Sequence, residues 1–545
     1  MYVRKSEKKD IAKIQEIYDL SRKFMHENGN PNQWITHPTL DEIESDIEKG
    51  IGYVVIENSE VCGAFALILG EDPTYLNIDG AWLNNEPYAV IHRLGSNFKY
   101  KGILEAAIKT ALSKASNIRV DTHEDNGPMN HLLPLLGFKR CGEIYIKDDI
   151  SDHSKRIAYQ LETCMHKELC GGCSYQGIPY MYQLKHKNYE VLDLLNKRGI
   201  KPEKMDDIQG CTDIFYYRNK MEYTFGNIEK DAPLGLGMHK KKNFMSIVTV
   251  DRCMLVHPDF NKILKATLSF CEDKGYTFYH KKNHEGLLRN LVLRRGVRTK
   301  EILVNIVTTS DEFDEEGYKG YILSLELENS ICGILHTIDD NIADTVNCEE
   351  LRVLYGRDYY LEKICNLTFK VSAFSFFQTN INAVERLYLD AISLLSDVDN
   401  KIVFDLYSGT GTISQILSSH AKEVYGIEIV QDAVNSAIEN TKLNNLNNCH
   451  FICGDCFKEL EKIDVIPDVL VVDPPRVGMD LNAIEKICSY GCKEILYISC
   501  NPKTLIENLV LFEHLGYKIN YLKPYDNFPN TKHVETVVLM SRDKE

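Results

Sequence analysis

The sequence predicts an α/β protein built from several domains, and three observations support this. The chain has 545 residues, which at roughly 100 to 200 residues per domain corresponds to three or four domains. Short apolar runs typical of strands alternate with segments that have the apolar spacing of amphipathic helices. The composition, with 44% hydrophobic and 26% charged residues, is that of an ordinary globular protein rather than a fibrous or disordered one.

The sequence shows neither a charged-then-apolar leader nor an apolar run of about 18 to 20 residues. We therefore expect a cytoplasmic protein that does not enter a membrane. In a reducing compartment the seventeen cysteines should be thiols, metal ligands or catalysts rather than structural disulfides. No feature points to an obligate protein partner, so we expect a monomer.

Charge is distributed unevenly along the chain. The formal net charge of -16 argues against a protein that coats nucleic acid indiscriminately. From Phe215 to Lys300, however, 17 Lys and Arg stand against 8 Asp and Glu. We call this stretch the basic segment, and it is a candidate phosphate-contacting surface, with a solvated sheet face as the alternative. Its cations include Arg218, Lys220, Lys240, Lys241, Lys242, Arg289, Arg294, Arg295 and Arg298.

Residues 1–160 predict one α/β domain. "DIAKIQEIYDLSRKF" and "KGILEAAIKTALSKA" predict helices, and "GYVVIENSEVCGAFALIL" predicts two strands around a turn at Asn58 and Ser59. With the closing "NHLLPLLGFKRCGEI", this order resembles a GNAT-type acetyltransferase domain. The resemblance implies an acetyl-CoA pyrophosphate site at the helix start within Lys99–Leu104. Leu104 stands where the family has a small residue, which leaves acetyl-CoA binding open.

A cluster of cysteines follows this first domain. Cys164, Cys170 and Cys173 form the pattern C-x5-C-x2-C, and three thiols this close predict a metal site. Zinc is one alternative, although the paired C-x2-C motifs of a zinc ribbon are missing. An iron-sulfur cluster takes four thiolates, commonly three close together and one distant. Cys211 and Cys253 are both candidates for the fourth.

The C-terminal part predicts a Rossmann-like nucleotide-binding domain. "KIVFDLYSGTGTISQIL" reads as strand, glycine turn and helix, and the next strand ends at Glu428. A carboxylate there is placed to accept hydrogen bonds from the ribose hydroxyls of an adenosine cofactor. The glycine loop alone would equally suit NAD. The missing third glycine and the "DPPR" motif at Asp473–Arg476 favour S-adenosylmethionine instead.

Five motifs occur in order along the chain and together resemble the RNA (uracil-5-)-methyltransferase family. The resemblance covers roughly residues 164 to 545. The motifs are "FFQTN" at Phe376–Asn380, "DLYSGTGT" at Asp405–Thr412, "DPPR" at Asp473–Arg476, "SCNPKTL" at Ser499–Leu505 and "FPNTKHVETVVLM" at Phe528–Met540.

This resemblance implies methylation of uridine carbon 5 in RNA by S-adenosyl-L-methionine. It implies that Cys500 is the nucleophile that adds to carbon 6 and that Glu535 is the base that removes the carbon 5 proton. It also implies a 4Fe-4S cluster on the three clustered cysteines, with Cys253 rather than Cys211 as the fourth ligand. The implied cofactor contacts are Gln378, Tyr407, Thr412, Glu428, Asp455 and Asp473.

We therefore predict three domains: a GNAT-like α/β domain over 1–160, a central α+β iron-sulfur and RNA-binding domain over 161–374, and the methyltransferase domain over 375–545. The expected substrate is 23S rRNA, because iron-sulfur members of the family commonly act there, and the basic segment would contact it. The T-loop uridine of tRNA is an alternative target. A bifunctional protein with N-acetyltransferase activity and a catalytically inactive RNA-binding assembly factor are further alternatives.

Overall fold

The computed structural model describes residues 1–146, 155–342, 348–460, 462–463 and 465–542. The chain divides into two compact units. The first comprises residues 1–167 and 176–182, and the second comprises 168–175 and 183–545. Both units mix helices and sheets, which confirms the predicted α/β class.

The first unit is an eight-stranded sheet with helices packed on it. The strand order is β1-β2-β3-β5-β6-β8-β7-β4; β5 and β6 are parallel, and every other neighbouring pair is antiparallel. The elements are β1 (Tyr2–Lys5), α1 (Ile11–Glu27), α2 (Leu40–Glu48), β2 (Gly52–Glu57), β3 (Glu60–Leu69), β4 (Asp79–Gly80), β5 (Tyr88–Ser96), α3 (Ile103–Leu112), β6 (Asn117–Thr122), α4 (Gly127–Leu135), β7 (Lys139–Tyr145) and β8 (Lys155–Glu162), with short 3-10 turns at Lys8–Asp10 and Pro73–Tyr75.

The predicted elements of this unit are confirmed. The first predicted helix is α1, and its buried residues Ile14, Ile17 and Tyr18 follow the helical repeat. The predicted hairpin is β2 and β3. Its turn residues Asn58 and Ser59 have φ of +48° and +63°, because a two-residue turn must twist in the left-handed region to match the strands.

The N-terminal part of the second unit contains a mostly antiparallel sheet and three helices. The strand order is β12-β11-β10-β13-β14-β15-β16, and only β14 and β15 are parallel. The elements are α5 (Tyr180–Arg198, in this unit from Gln183), β9 (Lys204–Met205), β10 (Lys220–Gly226), β11 (Gly235–Lys240), β12 (Asn243–Thr249), α6 (Pro258–Asp273), β13 (Leu288–Gly296), β14 (Glu301–Thr308), α7 (Glu315–Leu323), β15 (Ser330–Ile338) and β16 (Glu350–Gly356), followed by the hairpin of β17 (Tyr359–Ile364) and β18 (Leu367–Ser372).

The C-terminal part of the same unit alternates strands and helices around a second sheet. The elements are α8 (Ile381–Ser393), a 3-10 turn at Val398–Asn400, β19 (Ile402–Leu406), α9 (Thr412–Ser418), β20 (Glu423–Glu428), α10 (Gln431–Leu443), β21 (Cys449–Cys453), α11 (Cys456–Leu460), β22 (Val469–Val472), α12 (Leu481–Ser489), β23 (Glu494–Ser499), α13 (Pro502–His514), β24 (Lys518–Tyr525) and β25 (Glu535–Ser541). Over the described ranges, no helix combines the length and apolar character needed to cross a bilayer.

The order of this second sheet places the carboxyl ends of five strands along one edge. The order is β21-β20-β19-β22-β23-β25-β24-β9, and the first five strands are parallel. β25 inserts antiparallel between β23 and β24, so its beginning lies at the edge where β23 ends. Strands such as β22 are wholly buried and apolar, as expected where helices cover both faces.

The loop of residues 526–530, between β24 and β25, is held by a buried ion pair. Lys187 on α5 donates from Nζ to Oδ1 of Asp526 at 2.6 Å, and both side chains are fully buried. Gln183, one turn earlier, exchanges two hydrogen bonds with Asn530, one to its side chain and one from its backbone N–H. Gln183 and Lys187, on one face of α5, therefore bind both ends of the loop.

Four more hydrogen bonds reach this loop from distant parts of the second unit. Because the loop leads directly into β25, its position sets where that strand begins. The donors are the Tyr175 N–H to the carbonyl of Asn530, the Tyr217 hydroxyl to that of Pro529, the Asn380 amide to that of Asn527, and the Cys211 thiol to that of Asp526.

Replacing Lys187 by Met should destabilise the second unit by about 3 to 5 kcal/mol, because a buried carboxylate then loses its counter-ion. The free energy of unfolding, measured by urea titration with circular dichroism, checks this. Lys197→Met on the same helix removes an exposed pair with Asp193 and should change the urea midpoint little. Equal effects of the two substitutions would contradict a stabilising role for the buried Lys187–Asp526 pair. The double substitution Lys187→Met/Asp526→Leu removes both charges and should recover part of the lost free energy of unfolding.

Candidate active site

A tight turn connects β19 to α9 at the carboxyl edge of the sheet. Tyr407, Gly409 and Gly411 have φ of +65°, +54° and +74°. A Cβ atom at Gly411 would lie 2.3 Å from the ring of Phe451, so only glycine fits there. The turn therefore depends on the glycine that the sequence motif contains.

Glu428 and Asp455 follow the next two strands along this edge. The carboxylate of Glu428 accepts the N–H of Gly409 at 3.0 Å and that of Val430 at 2.9 Å, so it braces the glycine turn. Asp455 is exposed after β21. Burial first, then the charges of Cys456, Asp480 and Asp455, raises the pKa of Tyr407. The strand ends thus bring together the predicted cofactor contacts of this edge.

Carboxyl groups with raised pKa values lie deeper in the same edge. Asp405 is fully buried, accepts a hydrogen bond from the hydroxyl of Ser414 and has a pKa raised to about 7 by burial. Burial, followed by the charges of Glu535 and Asp405, raises the pKa of Asp473 well above its usual range. Glu535, the first residue of β25, has a pKa raised to about 7 by burial, opposed by Arg476.

Cys500 lies between β23 and α13, beside these carboxyl groups. Burial first, then the charges of Glu535 and Asp473, raises the pKa of its thiol to about 11, and Arg476 opposes this. The amide of Asn501, which caps α13, donates to the carbonyl of Arg476 at 2.9 Å, tying the two loops together. The structure therefore places Cys500, Glu535 and Asp473 close enough for their charges to affect one another.

Two buried tyrosines belong to this site and were missed by the sequence prediction. Tyr388 on α8 is 3% exposed; burial and the charges of Asp473 and Glu535 raise its pKa, while a hydrogen bond with Gln378 opposes the shift. Burial first, then the charges of Tyr407, Asp473 and Cys500, raises the pKa of Tyr497 on β23. Both occupy positions in apolar repeats, so the sequence pattern assigns them to the core.

The cysteines of the predicted cluster fall in both units. Cys164 belongs to the first unit, and Cys170, Cys173 and Cys253 belong to the second. Cys170 and Cys253 are both half-buried and pack against the hydrophobic core that contains Tyr223. Within the part of the chain that the structure describes, no three His, Cys, Asp or Glu side chains are close enough to hold a metal ion.

Part of the basic segment is internal. Arg294 is 2% exposed and donates to the carbonyl of Ser375 at 2.7 Å. Arg289 is 8% exposed and donates to the carbonyls of Asp339 and Asn341. The prediction that the segment contacts phosphate is wrong for these two arginines. Their guanidinium groups are buried and donate to carbonyls inside the protein, so they are not available to RNA.

Comparison with known proteins identifies relatives of this chain. The profile of the family described as tRNA (Uracil-5-)-methyltransferase matches residues 347–543. A protein of Clostridium tetani described as an uncharacterized RNA methyltransferase is 44% identical over 400 residues, which cover 73% of this chain and 88% of that protein.

Two solved structures are similar to different parts of the chain. The Pyrococcus abyssi tRNA (uracil-54, C5)-methyltransferase in complex with S-adenosyl-L-homocysteine is 26% identical, covers 68% of this chain and 86% of its own, and gives a TM-score of 0.56. A GNAT-family acetyltransferase from Streptococcus agalactiae is 28% identical over 29% of this chain and 94% of its own, with a TM-score of 0.26. The family profile and the long match to the Clostridium tetani protein show that this chain belongs to the RNA uracil-5-methyltransferase family, which uses S-adenosylmethionine to methylate RNA.

Proposed function

We propose that this enzyme methylates carbon 5 of a uridine in 23S rRNA, in the cytoplasm, through a covalent adduct between Cys500 and carbon 6. One observation carries the proposal: the Cys500 thiol and the carboxyl groups of Asp473 and Glu535 share one partly buried environment where β22 and β23 end and β25 begins. The target uridine must turn out of its RNA stack to reach a site of this kind.

Carbon 5 of uracil is a poor nucleophile until a thiolate adds to carbon 6. The Sγ of Cys500 forms that bond, and the ring electrons move to carbon 5. Bound S-adenosyl-L-methionine supplies an electrophilic methyl group. At a pKa of about 11 the Cys500 thiol is protonated in the resting protein, so it must give its proton to water before addition. The guanidinium of Arg476 favours the thiolate.

After methyl transfer, carbon 5 holds both the new methyl group and its original proton. The carboxylate of Glu535 takes this proton, the carbon 5 electrons re-form the ring double bond, and the bond from carbon 6 to Cys500 Sγ breaks to release the thiolate. A pKa of about 7 suits a base that must be ionised before the step and accept a proton during it.

The proposed cofactor contacts are those that the family resemblance implies. Glu428 would accept from the ribose hydroxyls, and Asp455 would face the adenine edge. Glu428 already accepts two backbone N–H groups, yet each carboxylate oxygen has a second lone pair for a ligand. The remaining proposed contacts are Gln378, Tyr407, Thr412 and Asp473.

We also propose that the four cysteines of the predicted cluster, Cys164, Cys170, Cys173 and Cys253, bind a 4Fe-4S cluster, which would draw together thiols that lie too far apart in the described structure to hold a metal ion. The C-x5-C-x2-C spacing supports this, as does the packing of Cys170 and Cys253 against the same hydrophobic core. The N–H of Gly172 donates to the sulfur of Cys170 at 3.4 Å, a contact that favours a thiolate. No catalytic step runs through this cluster.

A second candidate function concerns residues 1–160, which we propose form a GNAT-type domain. Leu104 is 6% exposed and packs in the core of the first unit. Its side chain therefore points into the core. We propose that Leu104, although larger than the residue typical of the family, does not block a pyrophosphate from the start of α3. Calorimetric titration of the full chain with acetyl-CoA tests this candidate.

Cys500→Ala should lower methylation by on the order of 10⁴-fold or more, because removing a covalent nucleophile leaves only binding and orientation. The measurement is 5-methyluridine mapping in 23S rRNA and tRNA from a strain that lacks the gene and carries either variant. Wild type should restore one or more sites in 23S rRNA, and Cys500→Ala should restore none while still binding S-adenosyl-L-methionine.

Cys348→Ala removes an exposed thiol and should behave as wild type. A site restored by Cys500→Ala would disprove the nucleophile assignment. Restoration confined to the T-loop of tRNA would replace the proposed target.

Glu535→Gln should slow turnover by about 10² to 10⁴-fold and accumulate the covalent RNA adduct, because the carbon 5 proton then has no base. The adduct is measured on denaturing gels with labelled RNA. For wild type, the rate should fall as pH drops below about 7, since a Glu535 carboxyl protonated at that pH cannot accept a proton. Glu507→Gln, at an exposed carboxylate of the same unit, should leave the rate and its pH profile unchanged; a Glu535→Gln protein without adduct would argue against this role.

Protein purified without oxygen should contain about four irons per chain, measured by atomic absorption. Cys253→Ser should lose the iron because it removes a proposed ligand, whereas Cys211→Ser should retain it. Loss of iron in Cys211→Ser alone, or a single zinc in the wild type, would overturn the proposed ligand set.

A further inference from the structure

The turn between β11 and β12, residues 240–245, presents a surface that the catalytic site does not explain. Phe244 is 80% exposed and its neighbour Met245 is 58% exposed. Lys241 and Lys242 precede them and are also exposed. The ring of His239 lies 5.9 Å from that of Phe244, which extends the aromatic surface. Neighbouring exposed apolar side chains with a charged rim are typical of an interaction site, whereas a single exposed apolar residue is common on any protein surface.

The chemistry of this turn matches single-stranded RNA. Three consecutive lysines, Lys240 to Lys242, stand out in a chain with a net charge of -16, and they attract phosphates. A bare aromatic ring offers a face on which a nucleobase stacks. Unpaired nucleotides present phosphates and base faces together, whereas a duplex hides its base faces inside the stack.

Backbone contacts tie this turn to the segment 168–175. Cys170 and Lys240 form an antiparallel bridge. The N–H of Gly171 donates to the carbonyl of His239 at 2.9 Å, and that of Lys241 donates to the carbonyl of Leu169 at 2.8 Å. The turn is therefore braced on one side, which lowers the ordering cost when a ligand binds.

The other end of the segment 168–175 reaches toward the active site. The N–H of Tyr175 donates to the carbonyl of Asn530, in the 526–530 loop that leads into β25 and Glu535. A ligand on the 240–245 turn is thus connected, through one short segment, to the loop that precedes the catalytic base.

We propose that the 240–245 turn docks an unpaired stretch of the RNA substrate, with one base stacked on Phe244 and its flanking phosphates on Lys241 and Lys242. The proposal rests on the proposed function only in taking RNA as the substrate. It adds a contact outside the methyl-transfer site that selects RNA with unpaired nucleotides near the target.

The test uses the full chain with two labelled probes, an oligouridylate of about 12 nucleotides and a blunt RNA duplex of similar length, in fluorescence anisotropy. Phe244→Ala and Phe244→Leu should each weaken oligouridylate binding by about 5-fold to 100-fold and leave duplex binding unchanged. Lys241→Gln/Lys242→Gln should reduce the slope of log affinity against log salt by about 1.4. Lys281→Gln/Lys282→Gln, an equal charge loss at another exposed turn, should change neither quantity.

Three other results would overturn the proposal. Equal losses on oligouridylate and duplex would show an electrostatic contact without stacking, and full binding by Phe244→Leu would show a merely apolar contact. Unchanged RNA binding in all variants, with loss of binding to vesicles of anionic phospholipid, would make the turn a membrane contact. If wild type binds as expected but forms no 5-methyluridine, the proposed function fails and this docking site stands.

Discussion

The buried pair of Lys187 and Asp526 is the constraint on which the rest of the second unit depends. Two opposite charges fully removed from water are tolerated only when each compensates the other, so α5 and the 526–530 loop must meet in one geometry. The loop then receives hydrogen bonds from four other parts of the unit. Because β25 starts a few residues later, this pair also sets the position of Glu535.

Burial has a common consequence across the active site. It is the largest cause of the raised pKa values of Asp405, Asp473, Glu535 and Cys500. A site with this many acidic groups in a low dielectric favours a positively charged ligand, and the methyl donor of this family is a sulfonium cation. Cofactor binding and ionisation of the catalytic groups are therefore linked through charge. Arg476, a cation of the protein itself, acts in the same direction, because it lowers the pKa values of Cys500 and Glu535.

Much of the fold and the site could be predicted from the sequence. Strand-turn-helix patterns identified β19, the glycine turn and α9, and Asn501–Pro502 after an apolar run placed Cys500 at a strand end. Charge counts were less reliable, because a count does not reveal burial: Arg294 contributes to the basic segment yet is 2% exposed. Tyr388 could not be found, since an apolar repeat assigns a buried tyrosine to the core whether or not it contacts catalytic groups.

The sequence by itself determined which residues have the chemistry: a cysteine after a strand, a glycine turn between a strand and a helix, and carboxylates at successive strand ends. Local order along the chain is enough for these, because each depends on neighbours within a few residues. Only the tertiary structure decided which of them share one environment. Antiparallel insertion of β25 beside β23 brings Glu535 to Cys500, 35 residues apart in the chain, and burial there raises both pKa values, since desolvation depends on every atom that surrounds a group.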